Sequence, residues 1–256
     1  MRNCIILGSG RSGTSMVAGC LAKAGYFMGD RLYPPRESNP KGFFEDPEIN
    51  GINEELLAQV TPRRPPLLGR WSFKDRPTYG QRWLARVELG VEMPVPFRIQ
   101  QRIQHVTKRE PFCFKDPRFS YTLPAWRPFL RNTVFICVFR DPASTVASIL
   151  KECATARYLR NFRITRDQAI QVWILMYEHI LEKHMHLGEW LFLHYNQVFT
   201  REGLDRLESF TEASVDRSFP DPTLRRSFSN DPVPEEAVRI YKKLCKLAGY
   251  SEDGGI

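Results

Sequence analysis

The 256-residue sequence is poor in the features that mark secreted, membrane-spanning or metal-dependent chains. Its six cysteines, Cys4, Cys20, Cys113, Cys137, Cys153 and Cys245, form no C-x-x-C pair. Three of them lie in apolar, strand-like runs where a thiol behaves as a small hydrophobe, so reduced core cysteines are expected and a disulfide framework is not. There are five histidines. His184 and His186 stand two apart on a helical pattern and therefore diverge, and no His/Cys cluster has ligand spacing, so no metal is expected. Apolar runs are short: Cys4 to Leu7 is too small for a signal-peptide core, and Thr133 to Phe139 has only the length of a strand. A cytoplasmic protein without a membrane span is the expectation. No internal repeat or low-complexity tract is present.

Positive charge is plentiful, with a formal net of +8. That suits an anionic ligand or partner, but a solvated basic surface accounts for it equally well. With 42% hydrophobic residues the chain has enough apolar mass for a large core, and one domain over residues 1–250 is expected, followed by a disordered tail, Ser251–Ile256.

Short apolar runs predict strands at Cys4–Leu7, Phe112–Lys115, Thr133–Phe139 and Trp190–His194. Between and after them, helical patterns cover Thr14–Ala24, Pro47–Val60, Gln81–Glu92, Phe97–Lys108, Ser120–Leu130, Ala143–Cys153, Arg166–His186, Glu202–Phe210 and Pro234–Ala248. Strands alternating with helices imply an α/β fold in three layers, a mainly parallel sheet flanked by helices, with ligands at the carboxyl ends of the strands. Two proline-rich stretches, Tyr33–Phe43 and Thr61–Tyr79, read as lids or binding loops. The segments Phe43-Phe44 and Trp71-Ser72-Phe73 suggest apolar walls for a pocket.

The first strand runs into Gly8-Ser9-Gly10-Arg11-Ser12-Gly13-Thr14-Ser15 and a helix follows at once, the context that gives a Gly-rich motif its meaning. Backbone N–H groups of Gly10, Arg11, Ser12, Gly13, Thr14 and Ser15, together with the helix N-terminus, can hold an anionic phosphate. The spacing is that of a Walker A loop, yet Thr14 stands where the lysine belongs. Without that lysine a nucleoside triphosphate loses its terminal contact, while Arg11 places a permanent cation inside the loop. A compact 5'-phosphosulfate suits this arrangement better.

Farther on, strand Thr133–Phe139 ends in Arg140-Asp141-Pro142, with Asp141 fit to cap the next helix and Pro142 fit for its first turn. Ser144 and Ser148 share a helical face beside Arg140, so an arginine and a serine there could grip a second phosphate.

Gly8–Ser15 together with Phe139-Arg140-Asp141-Pro142 and Ser148 resembles the two signature regions of the sulfotransferases that use 3'-phosphoadenosine 5'-phosphosulfate (PAPS). The likeness extends over most of the chain. It implies a P-loop fold, PAPS as sulfuryl donor, the first region around the 5'-phosphosulfate, and Arg140 with Ser148 on the 3'-phosphate. Asn39–Glu45, Lys115-Asp116-Pro117-Arg118 with Trp126, and Pro222–Ser227 are also similar to bacterial members, which puts Arg225 and Arg226 near the 3'-phosphate. The aryl and steroid branch carries lysine at the place of Arg11, so phenol and steroid acceptors are not inferred. Many relatives carry glutamate where this chain has Asn196.

Sulfuryl transfer in line between two oxygens asks for charge stabilisation on the leaving phosphate and a base for the acceptor hydroxyl or amine. Arg11, with the loop amides and Thr14, is the candidate for the first. Glu45 leads for the second, since an apolar wall behind Gly42-Phe43-Phe44 would raise its pKa. Asp116 and then His105 follow. Two rivals stand beside this reading: a P-loop kinase of a small metabolite, with Asp116 as a magnesium carboxylate, and a non-catalytic basic binding module, with aromatic and basic residues interleaved in Arg157–Arg166. No nucleic-acid motif is present, and Trp173, Leu175, Met176 and Tyr177 read as core packing. The acceptor and the oligomeric state are not written in the sequence.

Overall fold

A computed structural model describes residues 1–65, 72–224 and 227–252. Four strands form its sheet: β1 (Asn3–Leu7), β2 (Cys113–Lys115), β3 (Thr133–Phe139) and β4 (Glu189–His194). They are all parallel, in the order β2-β1-β3-β4. Each predicted strand is present to within one residue at either end. Eight α-helices accompany them among the described residues: α1 (Thr14–Leu21), α2 (Pro47–Leu57), α3 (Phe97–Val106), α4 (Phe119–Trp126), α5 (Pro142–Thr155), α6 (Arg166–Glu178), α7 (Arg201–Thr211) and α8 (Glu235–Ala248).

The strands are hydrophobic at nearly every position because both faces of the sheet are covered. Cys4, Ile6, Val134, Ile136, Val138, Leu191 and Leu193 pack with residues of α1 and α7. The alternate residues, Ile5, Leu7, Phe114, Phe135, Cys137, Phe139 and Phe192, pack with α2 to α6 and α8 on the opposite face. This makes three layers. From β1 the chain moves to β2 on one side and then returns to β3 on the other, so the order reverses between β1 and β3. A crevice opens at such a reversal, outside the carboxyl ends of the two strands. The loops after Leu7 and Phe139 therefore meet.

Helix ends follow the predicted chemistry where side chains supply it. The Asp141 carboxylate accepts from Ser144 N–H at 2.7 Å, and Pro142 occupies the first turn of α5. The helix expected over Gln81–Glu92 is absent. Only a 3-10 turn forms, Arg82–Leu84, with the Arg82 N–H at its start capped by Glu54. Beyond it tertiary partners take carbonyls a helix would use: the Tyr121 hydroxyl donates to the Ala85 carbonyl, and the His179 ring lies 3.0 Å from the Val87 carbonyl. The single helix expected over Ser120–Leu130 is α4 followed by a 3-10 turn, and Pro128 falls within that turn. The run expected over Arg166–His186 ends as α6 and continues as a π-turn, His179–His184.

Of the interleaved Arg157–Arg166 segment, Leu159 and Phe162 are buried in the core, so their apolar groups are not offered to a polyanion. Trp71, Arg225, Arg226 and the last four residues of the tail lie outside the described residues. No helix among the described residues is long and apolar enough to cross a membrane.

Candidate active site

β1 delivers the chain into the glycine-rich loop, whose backbone explains its residue types. Gly8, Arg11 and Gly13 have φ of 131°, 71° and 97°, and such left-handed turns direct successive N–H groups toward one side. Glycine is required at Gly8, where a Cβ would stand 2.1 Å from the Val138 carbonyl oxygen of β3. Two aromatic rings press on the loop: a Cβ at Gly10 would meet Trp83 at 2.4 Å, and one at Gly13 would meet Tyr195 at 2.6 Å. No side chain caps α1, which leaves its first-turn N–H groups and dipole for an anion.

Arg140 and Ser148 lie across the crevice from this loop. Both are nearly fully buried. Arg140 donates to the Ser227 carbonyl and stacks over the Tyr195 ring at 4.7 Å. Ser148 comes up one helical face of α5 and accepts from Arg11 Nε at 3.2 Å. That bond joins the glycine-rich loop directly to α5. Arg11 also donates to the Ser38 carbonyl at 3.2 Å and pairs with Glu152 at 3.6 Å. Glu152, one turn beyond Ser148, is 3% exposed and accepts from Ser38 Oγ at 3.1 Å. The segment around Ser38 is thus clasped by Arg11 and Glu152, which also pair with each other.

Gly10, Arg11, Gly13, Thr14, Ser15, Arg140 and Ser148 all line one cleft of about 370 Å3. Ser12 does not. Its side chain is fully buried and turns inward to the Tyr177 hydroxyl at 3.0 Å.

The other end of the cleft lies beyond β2 and is built on charge. The Lys115 ammonium donates to Glu45, and Asn50 Nδ2 donates to the same carboxylate at 2.8 Å. Burial pushes Glu45 up, but the charges of Lys115 and Arg118 with these hydrogen bonds outweigh it and hold the carboxyl below its ordinary value. The apolar-wall expectation for Glu45 is corrected on that ground. Phe43 does line the cleft, whereas Phe44 turns away onto Phe219. Asp116 is fully buried, takes Arg118 N–H and Nη1 at 2.9 Å each, and accepts from Asn53 at 2.9 Å. Burial raises its pKa. It lies behind the cleft wall, so neither a base nor a magnesium carboxylate faces the cleft from Asp116. His105 is exposed on α3, away from the cleft.

A family model described as the sulfotransferase family matches residues 4–203. The chain belongs to the sulfotransferase family. The solved sulfotransferase domain from the curacin biosynthetic pathway is similar at 16% identity, with 98% of this chain and 99% of that one covered and a TM-score of 0.55. The sulfotransferase domain from the Synechococcus PCC 7002 olefin synthase is similar at 13% identity, with 95% and 94% covered and a TM-score of 0.52. At such identities the likeness is one of fold. No curated protein matches the chain.

In this sulfotransferase, sequence reasoning found the loop, Arg140, Ser148 and Glu45 as cleft residues. It missed Glu152, although its position four after Ser148 on a helix places both on one face. It also missed Trp83, Tyr158 and Tyr195, which come to the cleft from distant segments and carry no local signal. Tyr177, expected as core packing, also reaches the loop with its hydroxyl. Asn196 is turned to Tyr250 at 2.7 Å.

Proposed function

We propose that this sulfotransferase moves a sulfuryl group from PAPS to a hydroxyl or amine acceptor, in the cytoplasm, and that residues 1–250 act as one domain. The observation that carries the reading is the convergence of two anion cradles, Gly10–Ser15 and Arg140 with Ser148, on one cleft, joined by the Arg11–Ser148 bond. A donor bearing a 5'-phosphosulfate and a 3'-phosphate needs two such grips. The turned loop backbone and two arginines suit it, and the cleft has the size of an ordinary ligand pocket. Six free thiols, five of them buried, accord with a reducing compartment.

In this reading the loop amides and Arg11 bind the 5' end, and Arg140 and Ser148 bind the 3' end with Arg225 and Arg226. The acceptor oxygen forms its bond to sulfur as the bond from sulfur to the 5'-phosphate oxygen breaks. Arg11, the loop amides and Thr14 meet the charge on the departing phosphate. The acceptor proton passes to Glu45, which its depressed pKa keeps ionised at neutral pH. Lys115 holds that carboxylate in place. The aromatic and proline residues of the cleft exclude water.

Thermal stabilisation tests the donor. Adenosine 3',5'-bisphosphate at a hundredfold its Kd adds about 2.7 kcal/mol to the folded state, which for a chain of this size raises Tm by roughly 5–10 °C. ATP with magnesium is expected to give no comparable shift. Stabilisation by ATP with magnesium alone, and label transfer that EDTA abolishes, would support a kinase instead.

A further inference from the structure

Tyr177 is fully buried on α6, its ring 4.7 Å from Trp173. Packing explains the ring but not the hydroxyl. The oxygen lies 3.1 Å from Ser9 N, 2.8 Å from the Val138 carbonyl oxygen and 3.0 Å from Ser12 Oγ. A phenol has one proton and two lone pairs. The Ser9 N–H donates to it, and its own proton is directed at the Val138 carbonyl oxygen and at Ser12 Oγ, both of which stand as acceptors.

The three partners belong to two parts of the molecule. Ser9 and Ser12 sit in the glycine-rich loop, and Val138 sits in β3 two residues before Arg140. The same oxygen therefore fixes the loop and ties it to the strand that carries the second cradle. The absence of a side chain at Gly8 leaves room for the contact: a Cβ there would stand 3.3 Å from the Tyr177 oxygen.

We propose that the Tyr177 hydroxyl is a positioning group that holds the donor loop in its anion-binding form and fixes its spacing from Arg140, so that donor affinity depends on it. This rests on the reading of the loop as the donor's cradle. A hydroxyl three hydrogen bonds deep in a loop's underside constrains the directions of that loop's outward amides, which are the groups an anion meets.

Tyr177→Phe keeps the ring and deletes only the oxygen. In hydrogen exchange on the free protein, amides 9–13 are expected to exchange about tenfold faster than in wild type, the scale of one lost buried partner. Amides of β3 on the far side of Val138 should keep their protection. Affinity for adenosine 3',5'-bisphosphate is expected to fall about tenfold by calorimetry, with donor KM rising and kcat changing less. Tyr26→Phe is the control. Tyr26 is a buried tyrosine whose hydroxyl donates to the Arg2 carbonyl at 2.9 Å, remote from the loop. Its loss should lower Tm without touching loop exchange or nucleotide affinity.

Unchanged exchange of amides 9–13 in Tyr177→Phe overturns the proposal, as does a uniform rise over loop and sheet, or an equal effect from Tyr26→Phe. If the wild-type protein fails to bind the bisphosphate, the donor reading falls. The exchange comparison, which needs no ligand, still decides whether Tyr177 holds the loop.

Discussion

Arg11 sits where three oxygens of different kinds converge: a serine hydroxyl, a backbone carbonyl and a buried carboxylate. This fixes the guanidinium before any ligand arrives, which is what electrostatic stabilisation of a departing phosphate requires. Replacing Arg11 with Ala is expected to lower kcat on the order of a hundredfold. Steady-state rates with labelled PAPS check this, and unchanged turnover removes Arg11 from the chemistry. Glu45→Gln is expected to abolish transfer while leaving affinity for the bisphosphate intact. The pH profile separates Glu45 from other bases. Its folded pKa lies below the ordinary 4.5, so the proton-accepting carboxylate persists as pH falls and is lost only below that value. An acid limb in kcat near 6.5 would point to a histidine and count against Glu45.

Elements were readable from the sequence wherever their signals are local. Asp141-Pro142 announces the start of α5 because the cap and the first turn are made by neighbours in the chain. The glycine loop announces itself for the same reason. Gln81–Glu92 has a helical apolar pattern, yet the partners of its backbone come from Glu54, Tyr121 and His179, which no window of sequence reveals. At this scale the tight contact between the loop and β3 makes a sharp prediction. Gly8→Ala adds a Cβ 2.1 Å from a backbone oxygen that cannot step aside, at a φ of 131° that side chains avoid. A loss of about 3 kcal/mol or more is expected in denaturant unfolding. A loss under about 1 kcal/mol would show that β1 and β3 separate more easily than their packing implies.

At the scale of the whole molecule, stability should depend on pH through buried histidine. His184 ends the π-turn after α6, almost wholly enclosed, with Nε2 3.0 Å from the Ser120 carbonyl. Burial, opposed by the hydrogen bond to Ser120 and reinforced by the charges of His179 and Arg127, pushes it down to about 4 from 6.5. The unfolded chain therefore takes up a proton that the folded one resists. The stabilisation is complete above pH 6.5 and is lost as pH falls toward 4, by about 3 kcal/mol at most. His184→Gln keeps a donor for the carbonyl and removes the titration, so it should flatten Tm over that window. An identical slope in the variant would clear His184 of the effect.

The sequence alone determined the layered fold, the glycine turn after β1 and the Asp-Pro start of α5, because strand length, turn and cap act between residues a few positions apart. Tertiary structure decided that the glycine-rich loop shares one cleft with Arg140 and Ser148, that Lys115 and Arg118 outweigh burial and hold the Glu45 carboxyl below its ordinary value, that Asp116 lies behind the wall, and that Tyr177 reaches the loop. Those outcomes depend on the strand order β2-β1-β3-β4 and on burial, which set the distances and dielectric between groups far apart in the chain.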